Sequence, residues 1–182
     1  MTSLAEKAAV GCEGVAFLPY LSGEGTPHVD PDARGVFFGL SYRSGLNEMC
    51  RAVMEGVTFS LRDSLEICRG TGLNISEVRA SGGGAKSALW RQIQADVYNA
   101  DVLTMNVDEA PAAGAAILAG VGARYFKNIE EGCSAIVKIS GVTQPILENV
   151  KKYDDYYQTY RRLYQSLKDD FGYQARIVEK YL

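Results

Sequence analysis

Three consecutive glycines, Gly82, Gly83 and Gly84, are the residues of this sequence best placed to do chemistry. They lie between residues 77–81, which read as a strand, and residues 86–98, which read as a helix with Leu89, Ile93 and Val97 on one face. A helix N-terminus carries backbone N–H groups without partners and a partial positive charge. Glycine has no Cβ, so a phosphate or a flat purine can come against the main chain there. The chemistry would be binding rather than bond-making. The run is not a Walker loop, which needs Gly-Lys-Ser or Gly-Lys-Thr after four spacers, nor a Gly-x-Gly-x-x-Gly fingerprint. By itself it reads equally as a tight strand-to-helix turn and as a nucleotide site. Gly70-Thr71-Gly72 follows a helix C-terminus, where carbonyls repel anions, and reads as a cap and turn.

The other candidates are weaker. Cys12, Cys50, Cys68 and Cys133 form no Cys-x-x-Cys pair, and His28 is the single histidine. A zinc site needs such ligands closely spaced, so the pattern reads as four reduced, mostly buried thiols and no metal site. A helix beginning near Asp108, with Pro111 in its first turn, carries Ala112, Ala113, Gly114, Ala115, Ala116, Ala119, Gly120 and Gly122. Glycine inside a helix costs about 1 kcal/mol relative to alanine. Its repeated use suggests that another backbone comes close, at a domain interface beside a nucleotide or against the sheet, and close packing is the simpler reading.

The elements that must position these residues follow from periodicity. Residues 15–21 and 35–40 read as strands, the first with Pro19 suggesting an edge or bulge, and the pair is expected to be antiparallel. The intervening residues 22–33 are rich in Gly, Pro, Asp and Ser, a loop long enough to suggest function. Residues 46–69 give the clearest helix, with Leu46, Met49, Cys50, Val53, Val57, Leu61, Leu65 and Cys68 at spacings of three and four. Ser44 is its expected N-cap, with Glu48 in the first turn, and Gly70 its C-terminal cap. Residues 102–107 read as a strand followed by the helix from Asp108, which is expected to run to about Tyr125. Strand, helix, strand, helix in that order implies a parallel pair with a helical crossover inside one central sheet. The chain closes on a helix at residues 143–171, where Ile146, Val150, Tyr153, Tyr157, Tyr160, Tyr164 and Leu167 form one seam. Its tyrosine stripe reads as a covering helix with buried rings and wet hydroxyls rather than as a stacking surface.

Composition bounds the function. The chain has 182 residues, 47% hydrophobic and 23% charged, with a net charge of −3. That suits one folded domain with a substantial core. No run of five Lys or Arg occurs, which argues against nucleic acid or an anionic membrane as a partner. The most apolar stretch, residues 110–123, is shorter than the ~20 residues of a membrane span. Residues 1–10 are amphipathic, with Glu6 and Lys7, and unlike a secretory signal, so a soluble, cytoplasmic protein is expected.

Residues 35–55 carry a longer pattern: Gly35, Phe37, Gly39 and Leu40, then seven residues, then Glu48, Met49, Ala52, Val53, Met54 and Glu55. This resembles the second signature of the FGGY family of carbohydrate kinases. Residues 17–40 resemble the xylulokinase branch of that family, residues 81–102 are similar to its adenine-loop segment, and residues 111–120 to its small-residue helix. The resemblance implies an α/β fold of the RNase H-like, actin-like ATPase class: a C-terminal domain with a mixed sheet flanked by helices and a long terminal helix. It implies ATP as cofactor, with Mg²⁺ carried through the nucleotide. Gly82, Gly83, Gly84 and Ala85 would meet the adenosine and α-phosphate, and Ser87 would lie close to the base. The implied reaction is phosphorylation of D-xylulose to D-xylulose 5-phosphate. Gluconate, ribulose or another ketose or polyol would be the substrate of a sibling kinase, and a non-catalytic actin-like nucleotide-binding module is the reading from another class. The family's Asp-x-Gly-Thr loop and its catalytic Asp-Gly do not occur among these residues, so no catalytic residue is assigned and the sugar is expected on a separate N-terminal domain. A homodimer of the full-length enzyme is a further expectation. Gly25 stands where the family usually has arginine, and Ala113 where it has leucine.

Overall fold

The computed structural model describes residues 1–107 and 109–181. Its elements run α1 (Thr2–Ala5), a short 3-10 turn (Cys12–Gly14), β1 (Ala16–Leu18), β2 (Val36–Phe38), α2 (Leu46–Gly70), β3 (Glu77–Ala80), α3 (Gly83–Lys86), α4 (Ala88–Tyr98), β4 (Asp101–Met105), α5 (Ala110–Gly122), α6 (Ile129–Ile136), β5 (Ile139–Thr143) and α7 (Leu147–Tyr181).

The described strands form two sheets rather than one. β1 and β2 pair antiparallel, with Phe17 opposite Phe37 and the two rings 4.6 Å apart. β3 and β4 pair parallel across the α4 crossover, as the element order requires, and β5 adds antiparallel to the far side of β4. β4 is therefore central among the described strands, and β3 belongs to the sheet with β4, at its edge among the described strands. The sequence reading lacks α6 and β5, both short and mostly exposed.

α2 is the spine. It lies so close on β1 that a Cβ at Gly56 would stand 2.1 Å from the Phe17 carbonyl oxygen, so this position requires glycine. The expected caps shift by one residue at each end. Gly45, not Ser44, is the N-cap, and its N–H donates to the Glu48 carboxylate at 2.8 Å. Ser44 instead accepts from Ser41 N with its hydroxyl. At the other end Gly70 is the last helical residue, Thr71 is the cap, and Gly72 takes the left-handed turn at φ +91°. The expected cap at Asp108 falls outside the described residues, while Pro111 does sit in the first turn of α5. α5 ends at Gly122 rather than near Tyr125, because Arg124 adopts a positive φ of 60°.

The terminal helix starts later and ends further along than residues 143–171, since Thr143 belongs to β5. Its start is fixed by buried Asp96 of α4, which accepts from Ile146 N at 2.7 Å and Asn149 Nδ2 at 2.9 Å, an acid at a helix N-terminus. The seam holds at Val150, Tyr153, Tyr157, Tyr160 and Tyr164, which are buried; Ile146 is exposed. The tyrosine hydroxyls are not wet. Tyr153 Oη donates to Glu55 at 2.8 Å, Tyr157 Oη to Asp63 at 2.5 Å, and Tyr160 Oη pairs with Tyr20 Oη at 2.7 Å. α2 supplies two of those carboxylates, so apolar burial and polar pairing lock the two longest helices together. A buried hydroxyl without a partner would cost ~1–3 kcal/mol.

The densest part of that lock is around Glu55. Its carboxylate takes the Arg51 guanidinium at 2.8 Å, Gly11 N at 3.2 Å and the Cys12 thiol at 3.3 Å. Burial, reinforced by the Glu55 charge, pushes the Cys12 thiol far above its ordinary range, so it stays protonated. Only Cys12 of the four cysteines is buried. Cys50 is half-buried, and Cys68 and Cys133 are exposed, against the expectation of mostly buried thiols; all four are free. The outward faces of α2 and α6 carry the exposed pair, so helical spacing alone did not separate core from surface.

Candidate functional site

β3 and β4 run parallel, and both end at the same edge of the sheet. A crevice outside the carboxyl ends of parallel strands is where open α/β sheets bind ligands. Here the edge holds a pocket of about 240 Å³. Ser81 and Gly82 line it from the exit of β3, Lys86 from α3, Arg91 from α4, Thr104 from β4 and Ser140 from β5. Among the described residues that line it there are two cations, three hydroxyls and no carboxylate, an arrangement suited to an anion with polar edges.

The exit from β3 depends on Gly82. Its φ of 73° and ψ of −156° fall in a region that is essentially closed to residues with a Cβ. The chain then makes one helical turn, Gly83–Lys86, closed by Ala85 N donating to Gly82 O at 3.2 Å. Residues 83–86 are thus a turn of helix and not an open loop. The main helix begins at Ala88, not near Lys86, because Ser87 is extended, at φ −87° and ψ 119°. Ser87 is its N-cap, and its hydroxyl accepts from Trp90 N at 3.1 Å. One N–H of the α4 N-terminus that the sequence reading offered to a ligand is therefore already taken.

The expected site residues separate accordingly. Gly82 and Ala85 line the pocket; Gly83, Gly84 and Ser87 lie beside it without lining it. A Cβ on Gly83 would meet open space, whereas one on Gly84 would come 3.3 Å from Gln94 Nε2 and 3.7 Å from the Trp90 ring. Gly83 is the open glycine, and Gly84 is packed inward. The turn is clamped from behind: Arg91 Nη1 donates to Ala85 O at 2.5 Å, and Trp90 Nε1 to Thr58 Oγ1 of α2 at 3.1 Å. Sequence reasoning missed Lys86, Arg91, Thr104 and Ser140. Lys86 and Arg91 flank the glycine run and were open to inspection as charges next to it; Thr104 and Ser140 become neighbours only through strand pairing, where Ser140 Oγ donates to Thr104 Oγ1 at 3.3 Å.

α5 does not pack closely on the sheet. Ile117 is its one buried residue; a Cβ on Gly114 or Gly122 would meet nothing, while one on Gly120 would strike the Phe126 ring at 2.7 Å. Gly25 likewise faces open space. Among the described residues no three His, Cys, Asp or Glu side chains gather where they could hold a metal ion, and no helix is long and apolar enough to cross a membrane.

Residues 1–123 match the FGGY family of carbohydrate kinases, C-terminal domain. The chain belongs to that family. This FGGY chain is 42% identical over 166 residues to a xylulose kinase of Staphylococcus epidermidis, a match covering 91% of the chain and 34% of the relative. Among solved structures it superposes on a ligand-bound xylulose kinase of Lactobacillus acidophilus with a TM-score of 0.86 at 29% identity, covering 93% of this chain and 34% of that one. A gluconate kinase of the same organism gives 0.84, again at 29% identity, with the same coverage, 93% and 34%. The FGGY chain therefore spans about a third of the length of the curated relatives it matches. Its fold is the α/β C-terminal domain of the actin-like ATPase class, with a mixed sheet flanked by helices and a long terminal helix, as the sequence resemblance implied.

Proposed function

We propose that this chain supplies the adenosine-binding part of an ATP-dependent sugar kinase that converts D-xylulose to D-xylulose 5-phosphate, and that it is inactive alone. The observation that carries the reading is the pocket at the carboxyl ends of β3 and β4, entered through a glycine whose backbone no other residue adopts readily. At about 240 Å³ it is smaller than the ~300–1,000 Å³ of a whole ligand site, which fits one part of a nucleotide and not all of it. The turn at residues 82–85 meets the adenosine, with Gly83 as the open face of the approach. Lys86 and Arg91 supply positive charge for the α-phosphate. Ser87 keeps the turn in shape, and since a hydroxyl can accept and donate at once, its O–H remains available toward the base. Bound ATP brings the transferable phosphoryl group, and Mg²⁺ arrives on its phosphates. Phosphoryl transfer also needs a base for the sugar hydroxyl and ligands for the β- and γ-phosphates. No Asp-Gly or Asp-x-Gly-Thr occurs in the 182 residues to supply them.

Two members of the family with different sugars, the xylulose and gluconate kinases, superpose almost equally well. A gluconate kinase, or a kinase of another ketose or polyol, is accordingly the second reading, because the sugar pocket decides between them and fold does not. D-Xylulose is preferred because the curated relative at 42% identity carries that name.

Titration with ADP, followed through backbone amide resonances, tests the site. Gly83, Gly84 and Ala85 should shift first, with millimolar affinity, about 4 kcal/mol. Shifts confined to the α7 tyrosine face would refute it. With ATP, Mg²⁺ and D-xylulose a coupled assay should give no turnover above background; robust turnover by this chain alone would overturn the assignment of the catalytic base elsewhere.

A further inference from the structure

A second hollow lies away from the glycine turn. A cavity of about 600 Å³ opens between α2, α7 and the loop at Pro27 and His28. It shares no lining residue with the pocket at that turn. Three arginines face it, Arg62 from α2 and Arg161 and Arg162 from α7. Arg62 is held by Glu66 at 3.3 Å and Asp154 at 2.7 Å, while neither Arg161 nor Arg162 has an ion pair among the described residues. The Arg62 and Arg161 guanidiniums both lie over the Tyr157 ring, at 4.3 and 5.8 Å from its centroid.

Two polar atoms in this wall have no partner. Asp63 is only 6% exposed; its Oδ1 accepts the Tyr157 hydroxyl at 2.5 Å, and its Oδ2 accepts nothing. Arg62 Nη1, likewise closed off from water, donates to nothing. Buried polar atoms are nearly always paired, so an orphaned acceptor and an orphaned donor in one cavity wall point to something that completes them. His28, which also lines the cavity, is stacked on Tyr164, ring centroids 3.5 Å apart.

We propose that the cavity between α2 and α7 is a second ligand site, and that it takes a phosphorylated sugar or polyol. The required ligand carries both hydroxyl donors, for the Asp63 carboxylate, and an anionic group of oxygens, for Arg62 and the two arginines without ion pairs. A bare anion leaves Asp63 unmatched and meets its charge, and a neutral polyol leaves Arg161 and Arg162 without counterions. A nucleotide has both kinds of group, but a flat adenine would need an open stacking face, and of the two rings that line the cavity Tyr157 is covered by guanidinium and His28 is already stacked on Tyr164. The site is independent of the phosphoryl-transfer reading and stands or falls by itself.

The test is calorimetric titration of the 182-residue protein with ribose 5-phosphate, beside inorganic phosphate and xylitol, with amide resonances locating each. Ribose 5-phosphate should bind at least about tenfold more tightly than either fragment, shifting residues 62–67 and 157–165 and leaving 82–86 in place. Arg161→Gln with Arg162→Gln, both exposed and so harmless to folding, should weaken it about tenfold or more while ADP shifts at the glycine turn stay as in the parent. Asp63→Asn, which keeps an acceptor for Tyr157, should cost affinity for ribose 5-phosphate and not for inorganic phosphate. Equal affinity for inorganic phosphate, an unchanged arginine variant, no heat with ribose 5-phosphate, or shifts only at residues 82–86 would each overturn the proposal.

Discussion

Replacing Gly82 and Gly83 by alanine, one at a time, should give opposite results although the two positions adjoin. At Gly82 the added methyl meets no atom within 4 Å, so sterics against neighbours cost nothing. The cost is in the backbone, because φ 73° with ψ −156° is strained for any residue bearing a Cβ by about 1–3 kcal/mol. Two responses are open to the Gly82→Ala protein. If the turn keeps its shape, the full strain appears as lost stability, which for a chain of this size lowers Tm by roughly 2–4 °C per kcal/mol. If the turn relaxes, stability is partly recovered, but the shape that binds ADP becomes a minor state. Apparent affinity then falls by the same free energy, about 5- to 150-fold. Stability and affinity losses should together account for the strain. Gly83 has no positive φ and lies in the helical turn, where alanine is worth about 0.5–1 kcal/mol more than glycine. Gly83→Ala should therefore match or exceed the parent in Tm while weakening ADP, since its methyl stands on the open side of the turn. Thermal unfolding by circular dichroism and the ADP titration, run on all three proteins, separate the cases. A Gly82→Ala protein with parental Tm and parental ADP affinity would refute the reasoning, as would a Gly83→Ala protein less stable than Gly82→Ala.

Tyr160→Phe strands the Tyr20 hydroxyl in the core and should cost about 1–3 kcal/mol in urea unfolding, whereas Tyr20→Phe with Tyr160→Phe together should recover much of it; additive losses would argue against the pairing. A thiol reagent should label Cys68 and Cys133 quickly, Cys50 more slowly and Cys12 only on unfolding, and fast labelling of a third thiol with Cys50 blocked would contradict the Glu55 cluster. Burial holds the Asp63 carboxyl above its ordinary value of 3.8, against the opposing Tyr157 hydrogen bond and the His28 and Arg161 charges. The folded state thus binds that proton more tightly than the unfolded chain, and the stability it contributes is lost as pH rises from about 4 through the folded value. The stability of Asp63→Asn relative to the parent should therefore improve across that rise; a difference that is flat or falls with pH would reverse the sign of the argument.

How much of this was legible beforehand depended on how local the cause was. α2 was legible as a helix from its apolar spacing but not in its orientation: none of Leu46, Met49, Cys50, Val53, Val57, Leu61, Leu65 and Cys68 is buried, and the buried residues, Met54, Thr58, Phe59 and Asp63 among them, lie between 51 and 63. The parallel pairing of β3 and β4 followed from the helix between them. The signature at residues 35–55 lies along β2 and the first half of α2, where Gly56 and Glu55 tie that helix to β1 and to the N-terminal turn. The caps were each misplaced by one residue because capping at Gly45 works through the Glu48 side chain, and composition favours the serine next door. The tyrosines of α7 were legible as a seam but not as donors. Their partners Glu55, Asp63 and Tyr20 lie some hundred residues away, and in the sequence alone an acid on α2 looks like a solvated face.

The pocket at the glycine turn shows the same boundary more sharply. Its one local signal is the glycine run, and even there the three glycines differ in kind: Gly82 sets a backbone angle, Gly83 leaves space, and Gly84 fits against Gln94 and Trp90. Nothing in a run of identical residues separates those duties. The break at Ser87, which gives the turn its own length and sets Arg91 against Ala85 O, comes from a serine that composition would equally allow inside a helix. The remaining wall, Thr104 and Ser140, joins two strands of opposite direction whose register shifts at Met105, and β5 left no readable period. A site assembled from one turn and two strand edges is visible in sequence only through the turn. Its two cations lie next to that turn in the sequence, while two of its three hydroxyls, Thr104 and Ser140, are brought in by strand pairing.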